Sequence, residues 1–157
     1  MSDIEARLAR LEAESDIRRL KARYLNACDA KDVDAIRACF TPYAVIDFPP
    51  LGEFDLDGLM DIFTQMAATT PITDTHHGHN GEIEVDGDTA TGRWNLGFAT
   101  YDPRENTFRM LAGFYEDKYV RTPDGWRINY TKSIPRAVVD GTLGNVDANW
   151  ITGDNNE

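Results

Sequence analysis

The chain has 157 residues, 41% hydrophobic, 27% charged and 10% aromatic, enough apolar mass for one core and no room for a second domain. Lys and Arg total 16 against 27 Asp and Glu, a net charge of −11, which argues against nucleic acid and anionic membrane and favours a substrate that is neutral or that meets a local basic spot. No run approaches the roughly 20 apolar residues of a membrane span, no signal peptide opens the chain, and Cys28 and Cys39 make no disulfide framework, so the expectation is a cytoplasmic protein.

From Asp3 to Ala30 there is no Gly or Pro, and Ala, Leu, Arg and Glu abound, which predicts helix. Ile4, Leu8 and Leu11 form one stripe; Ile17, Leu20, Tyr24 and Ala27 form another. The spacing breaks at Ser15-Asp16, a good N-cap, so a short arm (residues 1–14) is expected ahead of a core helix. Asp32 caps a second helix carrying Val33, Ile36 and Phe40 and stopped by Thr41-Pro42; Ala44–Phe48 is a short strand. A third helix, from Asp55 or Asp57, shows Leu59, Ile62, Phe63 and Met66 at helical spacing.

After a Thr-rich loop, Thr69 to Thr75, strands take over. Asp86-Gly87 signals a hairpin between Glu82–Val85 and Thr89–Phe98, and further turns separate Thr107–Arg121 from Trp126–Ile134. The pattern predicts one α+β domain over residues 1–140, with helices on a curved, mostly antiparallel sheet that forms a cone around an apolar pocket. Residues 141–157, rich in Asn, Gly and Asp, read as a tail.

All three histidines lie in His76-His77-Gly78-His79. Alternation sets His77 and His79 on one face, whereas Glu82 and Glu84 share parity with His76, so a metal site there lacks its acid partner and no metal is expected. The other readings are imidazoles bonded to backbone or water, and one histidine pointing into the cone as a general base. Tyr24 is either a pocket-lining ring or a catalytic hydroxyl. Asp29, near a helix C-terminus, faces the negative end of the dipole, a cost an imidazolium would offset; alternatively it is solvated or caps the turn into Asp32.

Three stretches resemble the SnoaL-like, nuclear transport factor two-like superfamily: Arg19-Leu20-Lys21-Ala22-Arg23-Tyr24-Leu25-Asn26-Ala27-Cys28-Asp29, His76-His77-Gly78-His79-Asn80-Gly81-Glu82-Ile83 with Gly92-Arg93-Trp94, and Gly113-Phe114-Tyr115-Glu116-Asp117-Lys118-Tyr119 with Asp124-Gly125-Trp126. Within it the motifs are most similar to bile acid 7-alpha-dehydratase and more distantly to scytalone dehydratase. The resemblance implies a cone-shaped α+β barrel and a cofactor-independent lyase in which Tyr24, Asp29 and His76 match the dehydratase tyrosine, aspartate and histidine. Arg136 matches an arginine near the end of the last strand. Phe98 stands where the family's second acid would be.

On that basis His76 is the expected base, Asp29 its orienting partner and Tyr24 the donor to a developing oxyanion, with no cofactor. Asn95 and Arg136 are expected to hold substrate oxygens, His79 to lie at the site, and Phe48, Met60, Trp94, Phe98 and Phe114 to wall a pocket for a hydroxylated aromatic or steroid-like molecule. A double-bond isomerase and a non-catalytic small subunit of an aromatic-ring dioxygenase are the alternatives. The unmatched stripe of residues 4–11 and the outer sheet face predict a homo-oligomer, dimer or trimer.

Overall fold

A computed structural model describes residues 2–69 and 72–144. Helix α1 (Asp3–Ala30) starts in a capping box: the Glu5 N–H donates to Ser2 Oγ, and the Ser2 N–H donates to the Glu5 carboxylate. The break expected at Ser15-Asp16 does not occur, because nothing there interrupts the backbone ladder. The change in spacing marks a change of surroundings instead. Ile4, Leu8 and Leu11 are 73%, 55% and 58% exposed, whereas Ile17, Leu20, Tyr24 and Cys28 are buried against the sheet. Each apolar side chain so buried contributes about 1.5–3 kcal/mol, so the second half of the helix holds the first in place.

Asp32 caps α2 (Val33–Arg37) by accepting the Ala35 N–H. Phe40 is not part of this helix; it opens β1 (Phe40–Phe48), which is longer than expected. Pro42 is tolerated there because the ladder to the neighbouring strand is irregular between Phe40 and Val45. A short strand β2 (Gly52–Phe54) precedes α3 (Leu56–Thr69), where Asp55 accepts the Gly58 N–H at the helix start. Four long strands follow: β3 (Thr73–Asp86), β4 (Thr89–Asp102), β5 (Thr107–Thr122) and β6 (Gly125–Thr142). β3, β4 and β6 outrun their apolar segments. The Thr-rich stretch thus becomes strand from Thr73, and β6 absorbs the first residues of the expected tail. Residues 145–157 lie outside the described residues.

The strands form one sheet in the order β2-β1-β6-β5-β4-β3, antiparallel except for the parallel β1–β6 pair. This is the expected α+β architecture. The helices cover the inner face, where Ile46, Trp94, Leu96, Tyr115, Trp126 and Ile128 meet α1 and α3. No described helix is long and apolar enough to cross a membrane.

A register shift between His79 and Glu82 decides where the chemistry falls. Asn80 adopts φ 50° there, and a Cβ on Gly81 would run into the Trp94 ring, so the bulge depends on glycine. Ahead of it Asp74, His76 and Gly78 face inward; beyond it Ile83 and Val85 do. Simple alternation, which would group His77 and His79 with Ile83 and Val85, fails across the bulge. The same shift carries Glu82 and Glu84 to the outer face, so their expected parity with His76 is also reversed.

Candidate active site

Helix α1 ends at Lys31, which adopts a left-handed conformation (φ 54°) and donates its N–H to the last-turn carbonyls of Ala27 and Cys28. Its ammonium reaches Asp74 Oδ2 at 3.0 Å and the Ile72 carbonyl at 3.3 Å, tying the helix end to the start of β3. Two residues along each element, Asp29 and His76 meet. The Asp29 carboxylate accepts the His76 backbone N–H (3.0 and 3.2 Å), and His76 Nδ1 lies 2.6 Å from Asp29 Oδ1.

The tautomer follows from the partner. An ionised carboxylate can only accept, so Nδ1 carries the proton and Nε2 of the neutral ring keeps its lone pair. The His76 and Asp29 side chains are 16% and 26% exposed, shielded but reachable. One face of the imidazole rests on Phe98, its cross-strand partner, with centroids 4.6 Å apart. The position expected for a second acid therefore carries an apolar contact to the base.

Tyr24 lies on α1 just over one turn before Asp29, 2% exposed, with its ring edge-on to Phe40 at 5.1 Å. Burial raises its phenol well above the ordinary value, and the neighbouring Cys28 sulfur adds to that; burial also pushes the Cys28 thiol up to about 12. Both groups are neutral at physiological pH, and Tyr24 is available only as a neutral hydroxyl.

Beneath Tyr24 lies a polar cluster that the sequence reading passed over. Lys21 Nζ sits 2.8 Å from Asp117 Oδ2, with side chains 2% and 0% exposed. The contact is poorly aligned for a hydrogen bond, and the ammonium also stands 3.7 Å from the Tyr115 ring centre. Tyr119 donates to Asp117 Oδ2 (2.6 Å), Thr131 to Oδ1 (2.7 Å), and Trp94 Nε1–H to the Tyr119 hydroxyl (3.0 Å). A signal existed: Lys21 falls in the helical stripe of Ile17, Tyr24 and Cys28, and Asp117 alternates with Tyr115 and Tyr119, so each is a charge at a core position.

The other expected site residues divide. Phe48 and Phe98 stay half-buried on the inner face, and Met60 and Trp94 are core residues at 3% and 4% exposure. Asn95, Phe114, His79 and Arg136 do not point into the cone. Trp94, Leu96 and Phe98 take the inner positions of β4, so Asn95 faces out, and its partner Phe114 faces out with it. Arg93 and Arg136 lay their guanidinium groups against the Phe114 ring at 4.4 and 5.4 Å. His79 stacks on His77 on the outer face. These four positions are corrected from pocket to exterior.

With this geometry in view, a sequence profile described as "SnoaL-like domain" matches residues 9–132. A Mycobacterium tuberculosis relative, "Uncharacterized protein Rv2910c", is 33% identical over 126 residues, covering 77% of this chain and 84% of that one. Two solved structures share the fold at 18% identity and TM-score 0.76. One is the hexachlorocyclohexane dehydrochlorinase LinA-type3 of Novosphingobium barchaimii, covering 88% of this chain and 95% of its own. The other is a candidate scytalone dehydratase of Novosphingobium aromaticivorans, covering 92% and 99%.

Proposed function

This chain belongs to the SnoaL-like domain family, and from that premise we propose that it is a cofactor-independent lyase acting on a hydroxylated aromatic or steroid-like small molecule. The observation that carries the reading is the His76–Asp29 pair: a 2.6 Å contact that leaves one imidazole nitrogen free, on a base both shielded and reachable. His76 Nε2 removes an acidic proton next to a carbonyl, or from a hydroxyl. The released electron pair forms the new double bond as the bond to the leaving group breaks. Asp29 stabilises the imidazolium, which returns its proton to the departing hydroxide, so water leaves. Loss of a small carbon fragment follows the same logic. Tyr24, held neutral by burial, donates to the substrate oxygen on which charge develops. Phe48 and Phe98 supply apolar wall, and dehydratase and dehydrochlorinase among the fold neighbours suit elimination chemistry. The resemblance of the Tyr24, Asp29 and His76 motifs to bile acid 7-alpha-dehydratase supports the same assignment of roles.

Phe98 favours a second reading. With no acid opposite the base, the proton that His76 removes can return to another carbon of the substrate, which is double-bond isomerisation. One experiment covers both. Hydroxylated aromatic and steroid ketones are incubated with the protein in deuterated water and followed by NMR. Elimination appears as loss of water or of a carbon fragment, isomerisation as deuterium incorporation without loss of mass. His76→Gln should abolish either. Turnover that survives this substitution removes the base, and no turnover on any member of the panel favours the non-catalytic subunit role.

A further inference from the structure

His77 and His79 are unused by this chemistry, and the structure turns them away from it. β3 is an edge strand, and both rings stand exposed on its outer face with centroids 5.2 Å apart and planes 19° from parallel. Among the described residues neither has a hydrogen-bond or ion-pair partner; His76 alone of the three histidines does. Their cross-strand neighbours are Gly97 and Asn95. A Cβ at position 97 would lie against the His77 Cβ, so glycine there leaves the His77 ring room to turn.

We infer that His77 and His79 form a two-imidazole chelate for a borderline transition-metal ion, Ni2+, Cu2+ or Zn2+, on the outside of the sheet. The spacing fits. A metal about 2 Å from one nitrogen of each ring, at a tetrahedral angle, puts the ring centres roughly 5 Å apart. The rings need only turn about their second side-chain torsion, a broad and soft one, to aim both nitrogens at one point. Imidazole donors select these ions over Mg2+ and Ca2+, and the net charge of −11 draws cations to the surface. The bulge places Glu82 and Glu84 on the same face, although no three metal-ligating side chains converge among the described residues. The chain therefore supplies two donors, and water or a small exogenous ligand completes the shell.

The test is calorimetric titration of tag-free, full-length protein with NiCl2 and ZnCl2, with MgCl2 as control. One Ni2+ or Zn2+ per chain is expected, and none for Mg2+. His77→Ala and His79→Ala should each weaken binding at least tenfold, whereas His76→Gln should leave it unchanged. Ni2+ should also raise the melting temperature of the parent protein but of neither alanine variant, which keeps the result readable if a variant folds less well. Absence of Ni2+ and Zn2+ binding overturns the inference. So does binding that survives both alanine substitutions, or that is lost with His76.

Discussion

Helix α1 contributes to two acid–base pairs two turns apart, and they are built oppositely. Lys21 and Asp117 are sealed from water, and every oxygen of Asp117 is occupied by Lys21, Tyr119 or Thr131. Asp29 and His76 are 26% and 16% exposed, open on one side, and their geometry leaves one ring nitrogen unengaged. Both oxygens of Asp117 are engaged, and Lys21, although it lacks an aligned acceptor, is walled in by the Tyr24 and Tyr115 rings, so no substrate reaches this pair and it can only hold the cone together. A pair with a free ring nitrogen at a reachable position can exchange a proton. Proximity to the cone interior is common to both; access from solvent separates them.

The largest effect expected from this contrast is on stability at the sealed pair. Lys21→Met alone leaves the Asp117 charge buried with hydroxyl partners only, and Asp117→Ala leaves Lys21 with none but aromatic faces. Each should cost about 3–5 kcal/mol. The double variant Lys21→Met/Asp117→Leu should recover a good part of that, because burying two apolar groups removes both desolvation penalties. Urea denaturation of the three variants measures this, and a single variant within 1 kcal/mol of the parent, roughly the scale of an exposed pair, would make the sealed pair no different from a surface one.

Alkali should attack the same region. Burial raises the phenols of Tyr24, Tyr115 and Tyr119, with the Asp117 charge contributing at Tyr119. A raised folded value means that the native state keeps protons which the unfolded chain releases above about pH 10. Stability is therefore complete below that pH and falls above it, by about 1.4 kcal/mol per pH unit for each such tyrosine. Tyrosinate absorbance from these rings should rise only together with loss of the folded circular-dichroism signal. Ordinary titration of all six tyrosines in a folded protein would contradict the burial argument.

At the open pair the effect moves from stability to rate. Asp29→Asn keeps the shape but removes the charge that favours imidazolium and offers an amide that can hold the wrong tautomer. Turnover should fall by about 10²-fold or more. Melting temperature should hold or rise, since a carboxylate at the negative end of the α1 dipole is relieved. A lowered melting temperature with near-normal turnover would make Asp29 a cap for the helix end, equivalent in kind to Asp117.

How much of this was legible in the sequence depends on what fixed each feature. Helix faces, the Asp32 cap and the Asp86-Gly87 hairpin are local, and they read directly. The fold class follows from their order. Strand ends were underestimated at Thr73 and Gly141 because pairing with a neighbour, rather than apolar content, extends them. Inner and outer faces were misassigned at Asn95, Phe114 and Arg136, where the alternation that puts Trp94 inside already put Asn95 outside. The His76–Asp29 contact could not be derived from period two, since it needs the bulge at Asn80-Gly81, and glycine marks a possible bulge without fixing its place. Lys21–Asp117 was overlooked because each residue alone reads as a surface charge.

The smallest stability effect belongs to a third stretch of α1, and it tests whether exposure there has a purpose. Ile4, Leu8 and Leu11 project one apolar stripe that is more than half exposed throughout. Replacing all three by Gln removes little buried surface and keeps good helix formers, so the stability of the monomeric unit should move little, within about 0.5 kcal/mol per site. If the stripe is the surface through which copies associate, as a dimer or trimer, the substitutions should instead lower the molar mass measured by light scattering at micromolar concentration. The outer sheet face offers the other route, through Met110 and Val139, 51% and 56% exposed on adjacent strands. Charged substitutions there, tested separately, assign the interface to one surface or the other. A parent protein that is already monomeric at those concentrations would leave the helical stripe without a partner and remove association from the proposal.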